Sequence, residues 1–309
     1  MKTKIWVALL VIYVVWGSTY LGMRFAIETI PPFLHAALRF MIAGLLLFAW
    51  RRAAGDPAPT AKQWRSAAIA GLLLLLGGNG LVAWSEQSIP SGVAALMVGT
   101  TPLFMILVEA LRPGGSRPGS LQIAGLVLGF SGVALLVGPS AFGDSSGQLN
   151  PVGLAVALVA AFLWSLGSIY TRRADLPQST LLFTSMQMLL GSLGLFLVSG
   201  LNGEFARFDI MAVSGRSLAG MAYLVIFGSL VGFVCYGWLL RNAPVSLVAT
   251  YPYVNPLVAI LLGAWLAQET LSPRILMAGG IIIAAVIVIN SGKKPVPQAK
   301  QEQPAEQTA

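Results

Sequence analysis

The sequence predicts an all-α integral membrane protein of ten transmembrane helices in two inverted five-helix repeats. Composition is the first reason: of 309 residues, 56% are hydrophobic and 10% charged, where a soluble chain carries roughly a quarter charged residues. Mean hydropathy is +0.79. The second reason is that the apolar residues gather into blocks near the length of about 20 residues that crosses a bilayer. The third is that the second half of the chain repeats the first.

In chain order the spans are 5–24, 33–50, 66–84, 91–111, 120–138, 151–170, 180–200, 217–239, 245–267 and 273–290. Lys2 and Lys4 precede the first as they would a signal peptide, but the block is long, contains Trp16 and Tyr20, and lacks a small-residue cleavage site. Pro57 and Pro59 keep the connector after the second span from continuing as helix. In the fifth span Gly125 and Gly129, with Gly132 nearby, form a small-residue stripe for close helix packing, and no strand or phosphate loop accompanies it. A Gly-rich stretch at 143–147 makes 139–150 a flexible outer loop between a first repeat, 1–138, and a second, 151–290. Residues 291–309 are polar and proline-containing, which predicts a disordered tail.

Net charge of +8 does not point to nucleic acid here, because Lys and Arg lie between hydrophobic blocks, where they set topology and touch anionic lipid head groups. With a cytoplasmic N-terminus the inner face receives Lys2, Lys4, Arg51, Arg52, Lys62, Arg65, Arg112, Arg117, Arg172, Arg173, Arg241, Lys293, Lys294 and Lys300. The outer side receives only Arg24, Arg207, Arg216 and Arg274, and Arg39 lies inside the second span. The positive-inside bias therefore puts both termini in the cytoplasm. Cys235 and His35 are the only cysteine and histidine, so no intrachain disulfide and no protein-only structural metal site can form. No cofactor is expected.

Trp84 and Pro90 match Trp238 and Pro244, TPLF at 101–104 matches NPLV at 255–258, and AG at 124–125 matches AG at 278–279, each pair 154 positions apart. WGSTY at 16–20 likewise parallels WSLGSIY at 164–170. Five helices is an odd number, so the two copies must insert in opposite orientations, an arrangement that recurs in alternating-access transporters and also occurs in some channels.

WGSTY at 16–20, the proline-led second span with LRF at 38–40, SIPSGVAALMVGTTPLF at 88–104, AP-x-S-x-V-A-x-Y-x-Y-x-NP-L-V-A at 243–259 and QET at 268–270 together resemble the EamA family of the drug/metabolite transporter superfamily. The resemblance covers residues 5–290. It implies a ten-helix inner-membrane carrier, often an exporter of amino acids, related metabolites or xenobiotics, with a cavity among helices one, three, four, six, eight and nine. It directs attention to Trp16, Ser18, Asn79, Trp84, Thr100 and Thr101 in the first half. Their counterparts in the second are Trp164, Ser168, Tyr236, Trp238, Tyr251, Tyr253 and Asn255.

Physical chemistry adds to this set. Arg39, several residues inside an apolar run and paired by pattern with Gln187, either attracts an organic carboxylate or snorkels and caps carbonyls near the outer interface. Pro102 and Pro256 occupy equivalent positions and either bend gates or form fixed kinks. Asn255 beside Pro256 either orients a polar cargo or satisfies carbonyls freed by the kink, and Tyr251, four residues earlier, shares its face. Trp84 and Trp238, near span ends, also fit an aromatic belt. Glu109 precedes Arg112 by three and suits a local ion pair, whereas Glu269 sits at the outer end of helix nine as a boundary or gate contact. Neither acid is at midplane, so proton coupling would use an edge acid, tyrosine chemistry or a route that the sequence does not reveal. Arg24 and His35 read as interfacial.

No lipase-like G-x-S-x-G, histidine dyad or P-loop is present, so enzyme chemistry is not expected. The sequence favours a secondary transporter of a small metabolite such as an amino acid, with a channel-like or structural and sensory membrane role as the alternative. In a Cys235→Ser background, thiols introduced at 51–65 should label only from the cytoplasmic side and one near Gly143 only from outside. Outside labelling within 51–65 would overturn the topology.

Overall fold

A computed structural model describes residues 2–114, 117–141, 149–243, 245–248 and 250–291, and all regular structure among them is helical. Residues 142–148 of the expected outer loop, the tail from 292 and the Tyr253 side chain lie outside the described residues. Helix α1 (Lys2–Ala26) is followed by α2 (Pro32–Ala53), which begins on a proline whose missing N–H costs nothing in a first turn. A capping box of Thr60 and Gln63 starts α3 (Ala61–Ser85). The fourth apolar block is broken into α4 (Ser91–Val98) and α5 (Thr101–Leu111), and α6 (Ser120–Ala141) follows.

In the second half, Asn150 caps α7 (Pro151–Thr171) by accepting from the amides of Val152 at 2.9 Å and Gly153 at 3.2 Å. Then come α8 (Thr180–Leu201), α9 (Gly215–Leu239, running on to Asn242), the short α10 (Val245–Val248), α11 (Tyr251–Leu266) and α12 (Pro273–Ser291). Among the described residues seven helical stretches are long and apolar enough to cross a membrane, and three shorter apolar ones fall in α6, α11 and α12. Large apolar side chains cover the outside: Trp265 is 72% and Val127 68% exposed. Only a hydrocarbon solvent makes such a surface favourable over this much of the molecule.

The helices pair in a pattern that treats the halves alike. Helix α2 packs mainly on α8, and α6 on α12. The packing of α1 on α11 has its counterpart in α7 on α4 and α5, and that of α7 on α3 in α1 on α9. Helices α3 and α9 each contain a π-helical stretch, Leu72–Gly80 and Leu224–Val231.

Small residues permit the closest approaches. The Gly125, Gly129 and Gly132 stripe lies against α12, where a methyl on Gly132 would sit 2.9 Å from Ile282 Cγ1 and 3.2 Å from the Ala278 carbonyl. Between α3 and α8 backbone meets backbone: a methyl on Gly71 would lie 2.6 Å from the Gln187 carbonyl oxygen and 2.9 Å from the Gly191 nitrogen. Gly71→Ala should therefore destabilise the purified protein by about 1–3 kcal/mol despite the better helix propensity of alanine. Gly280→Ala, whose methyl meets nothing within 4 Å, should raise the midpoint of thermal unfolding slightly. Equal midpoints for the two variants would contradict the packing argument.

Candidate functional site

A cavity of about 930 Å³ runs between the halves. One end stops at Tyr20, Met23, Val82 and Ala95, where the last three are buried. The other reaches Glu109, Gln122, Arg172 and Leu176, of which Arg172 and Leu176 are exposed, so this end is the mouth. Beyond the helices expected from the resemblance, spans two and seven contribute Arg39 and Phe40 from α2 and Thr184 and Gln187 from α8.

Arg39 is 4% exposed and lines the cavity. Its Nε donates to Ser229 Oγ at 3.0 Å, and its guanidinium lies 4.7 Å from the Phe40 ring centroid. It does not snorkel, because packing on α8 and α9 encloses it. Among the described residues no carboxylate pairs with it. A buried cation without a counterion at the wall of a cavity is a ready partner for an anionic group. Gln187, 9% exposed, lines the same space.

Trp16 anchors an aromatic box. Its ring centroid is 4.9 Å from Tyr251, 5.2 Å from Tyr236 and 5.4 Å from Phe233, and its Nε1 donates to the Gly228 carbonyl at 3.2 Å. Gly228 and Ser229 belong to the π-helical stretch of α9, and Asn79, another lining residue, to that of α3. Such stretches widen the turn and turn polar groups inward, which is why they gather at functional sites. Trp164 and Ser168 on α7 complete this middle level, although the Ser168 hydroxyl donates back to the Trp164 carbonyl at 2.8 Å.

The broken helices differ from the expected pair of equivalent kinks. Pro102 is the second residue of α5, just after the break at 99–100, whereas Pro256 lies inside α11. In the second half α11 begins at Tyr251, directly after the turn residue Thr250, so Pro252 holds the place in α11 that Pro102 holds in α5. Pro102 cannot donate to Val98, and the Thr101 hydroxyl takes that carbonyl at 2.7 Å. Thr100, fully buried and absent from the lining, donates to Met97 at 2.5 Å, and Thr250 donates to Leu247 at 2.6 Å beside Tyr13. Asn255 is not used this way. It is 8% exposed, lines the cavity and has a buried Oδ1 with no partner among the described residues.

Other residues sit elsewhere. Ser18 bonds the Val14 and Val15 carbonyls at 2.6 and 2.9 Å and meets the Tyr223 hydroxyl at 2.5 Å, while Thr19 and Tyr20 take its place on the lining. Trp84 and Trp238 are outside the lining and pack partly buried against apolar clusters. Glu109, at the mouth, accepts from Arg112 at 2.8 Å and lies 3.6 Å from Arg173 of the other half. Glu269 accepts from the amides of Ser91 at 2.8 Å and Gly92 at 3.2 Å at the start of α4. His35 is fully buried, not interfacial, because the first turns of α2 are enclosed on all sides. Arg24 turns inward to the Glu86 backbone carbonyl.

The EamA-like transporter family matches this chain over residues 3–138 and again over 151–291. The chain belongs to that family. It is a membrane transporter and not an enzyme. The chain is 37% identical over 287 residues to an uncharacterized inner membrane transporter, YedA of Escherichia coli strain K12, covering 93% of this chain and 90% of that one. It is 25% identical to the uncharacterized transporter YvbV of Bacillus subtilis strain 168, over 95% and 93% of the two chains. A solved crystal structure at 20% identity aligns with a TM-score of 0.61, covering 96% of this chain and all of that one, and shares the fold. The two family matches fall on the two halves that the EamA-like sequence pattern marks out.

The threonines of an EamA-like break can be separated from its cargo contacts. Thr101→Val keeps the shape but leaves the Val98 carbonyl unpaired, so stability should fall by about 1 kcal/mol with cargo affinity essentially unchanged. A larger loss of affinity than of stability would make Thr101 a cargo contact.

Proposed function

We propose that this transporter is a ten-span, inner-membrane secondary carrier whose inverted halves rock about the central cavity. In this proposal it exports small carboxylate-bearing metabolites, amino acids among them. The observation that carries the proposal is Arg39: a buried guanidinium with no acidic partner among the described residues, in a cavity large enough for a small organic molecule. The carboxylate of the cargo meets Arg39, an apolar portion rests in the box of Trp16, Tyr236 and Tyr251, and Asn255 Oδ1 accepts from a donor such as an ammonium group. The matched packing of the halves and their paired π-helical stretches support an inverted duplication.

Direction follows from charge. The mouth carries Arg172 and Arg173, and the positive-inside bias assigns that face to the cytoplasm, with both termini. The arrangement is thus inward-facing. A cavity closed at one end favours a carrier over a channel, since a pore needs continuous access from both sides.

The decisive experiment presents labelled amino acids, other carboxylates and their neutral amide analogues to purified protein in liposomes. Saturable uptake that prefers carboxylates, lost in Arg39→Ala of unchanged thermal stability, supports the proposal, and equal loss for the amides overturns it. Asn255→Ala should weaken binding by about 1–3 kcal/mol, roughly 5- to 150-fold in dissociation constant, measured by calorimetry. Unchanged affinity in folded Asn255→Ala would remove Asn255 from the site.

A further inference from the structure

Between the closed end of the cavity and the outer surface lies Glu86, the residue immediately after α3, one turn beyond Val82 of the cavity lining. It is 0% exposed, and neither carboxyl oxygen has a hydrogen-bond partner among the described residues. Its neighbours are committed elsewhere. Arg24 of α1 donates to the Glu86 backbone carbonyl instead of the carboxyl, and Glu269 spends both oxygens on the start of α4. An ionised carboxylate enclosed in this way would be strongly disfavoured, whereas a neutral acid is tolerated.

We propose that Glu86 is a proton-binding site that holds the outer end of the cavity closed. Its carboxyl is neutral in the closed arrangement, and on opening the proton passes to water on the outer side, leaving a carboxylate beside the Arg24 guanidinium. The proposal rests on the inward-facing, alternating-access reading above. One proton is released as that end opens and one is taken up as it closes.

The charged and titratable groups facing Glu86 are few. Arg24 and Tyr20 come from α1, and Glu269 from the segment after α11. Helix α2 also packs on the end of α3, and of its ionisable groups there Arg39 acts on His35 and neither is among the groups acting on Glu86. The adjoining starts of α4 and α7 contribute serine, glycine and apolar residues. Burial first, and the Glu269 carboxylate second, raise the proton affinity of Glu86 well above the ordinary carboxylate range, with Arg24 opposing. The closed form binds the proton more tightly than the open form. Closure is therefore fully favoured below the ordinary carboxylate range and loses that advantage as pH rises toward the elevated value.

The test needs no cargo. In a Cys235→Ser background, Val82→Cys places a thiol at the closed end, and a membrane-impermeant maleimide is added only from outside. A thiol at the exposed position 87 corrects for the reagent's own pH dependence. Corrected labelling at 82 should rise roughly tenfold or more from about pH 5 to about pH 9, while Glu86→Gln, a permanently neutral mimic, should label slowly at every pH. Removing one neighbouring negative charge in Glu269→Gln should move the midpoint to lower pH. Flat labelling in the parent protein, wild-type pH dependence in Glu86→Gln, or an unmoved midpoint in Glu269→Gln each overturns the proton site. Where Glu86→Gln does not fold, the infrared band of a protonated carboxyl decides: a band that titrates with the labelling supports the site, and no such band overturns it. Absence of saturable flux in liposomes would sink the transport reading with these profiles intact, and flat profiles in a protein that moves cargo would sink only the proton site.

Discussion

Every backbone amide and carbonyl within a membrane must find its partner inside the protein, and this constraint determines where the molecule can be irregular. An unbroken helix satisfies it but presents only side chains. Among the described residues the helix ladder departs from regularity at 99–100, at Thr250 and along the two π-helical stretches, and all four places border the cavity. Their polar groups are repaired locally, by Thr100 and Thr101 at one break and Thr250 at the other. Irregular backbone is thus confined to where protein or an aqueous cavity can receive it.

Electrostatics follows the same division. The acids near the membrane boundaries are matched, Glu204 and Glu269 to helix-start amides and Glu109 to two arginines. Among the described residues Arg39, Glu86 and His35, in contrast, are buried and take part in no ion pair. A fold that satisfies its peripheral charges so consistently makes these three informative, because in the membrane an unmatched ionisable group carries a cost that packing must overcome.

Much of this was legible in the sequence because hydrophobic block length and charge asymmetry are one-dimensional signals. The apolar blocks, the small-residue stripe of α6 and the position of Arg39 inside an apolar run could be read from spacing alone. Side-chain direction could not. Ser18 and Thr19 are neighbours in one motif, yet the first bonds to Tyr223 and the second lines the cavity. The 154-residue register pairs Pro102 with Pro256, but the second break falls one turn earlier, where Pro252 opens the helix. Glu86 gives no signal in the sequence, since an acid beside a turn ordinarily faces solvent, and only three-dimensional packing from α1, α4 and the segment after α11 encloses it.

The Gly71 contact with α8 reaches across the two halves, since Gly71 belongs to the first and Gly191 to the second, and each would place a methyl 2.9 Å from a backbone atom of the other. After a duplication, the copies are ordinarily free to drift apart in sequence. At this contact they are not, because the space is filled by main chain, so enlarging one residue cannot be accommodated by shrinking its neighbour. Two stretches that can diverge in every chemical respect are thereby held to one shared restriction, and the history of each half is written partly by the other.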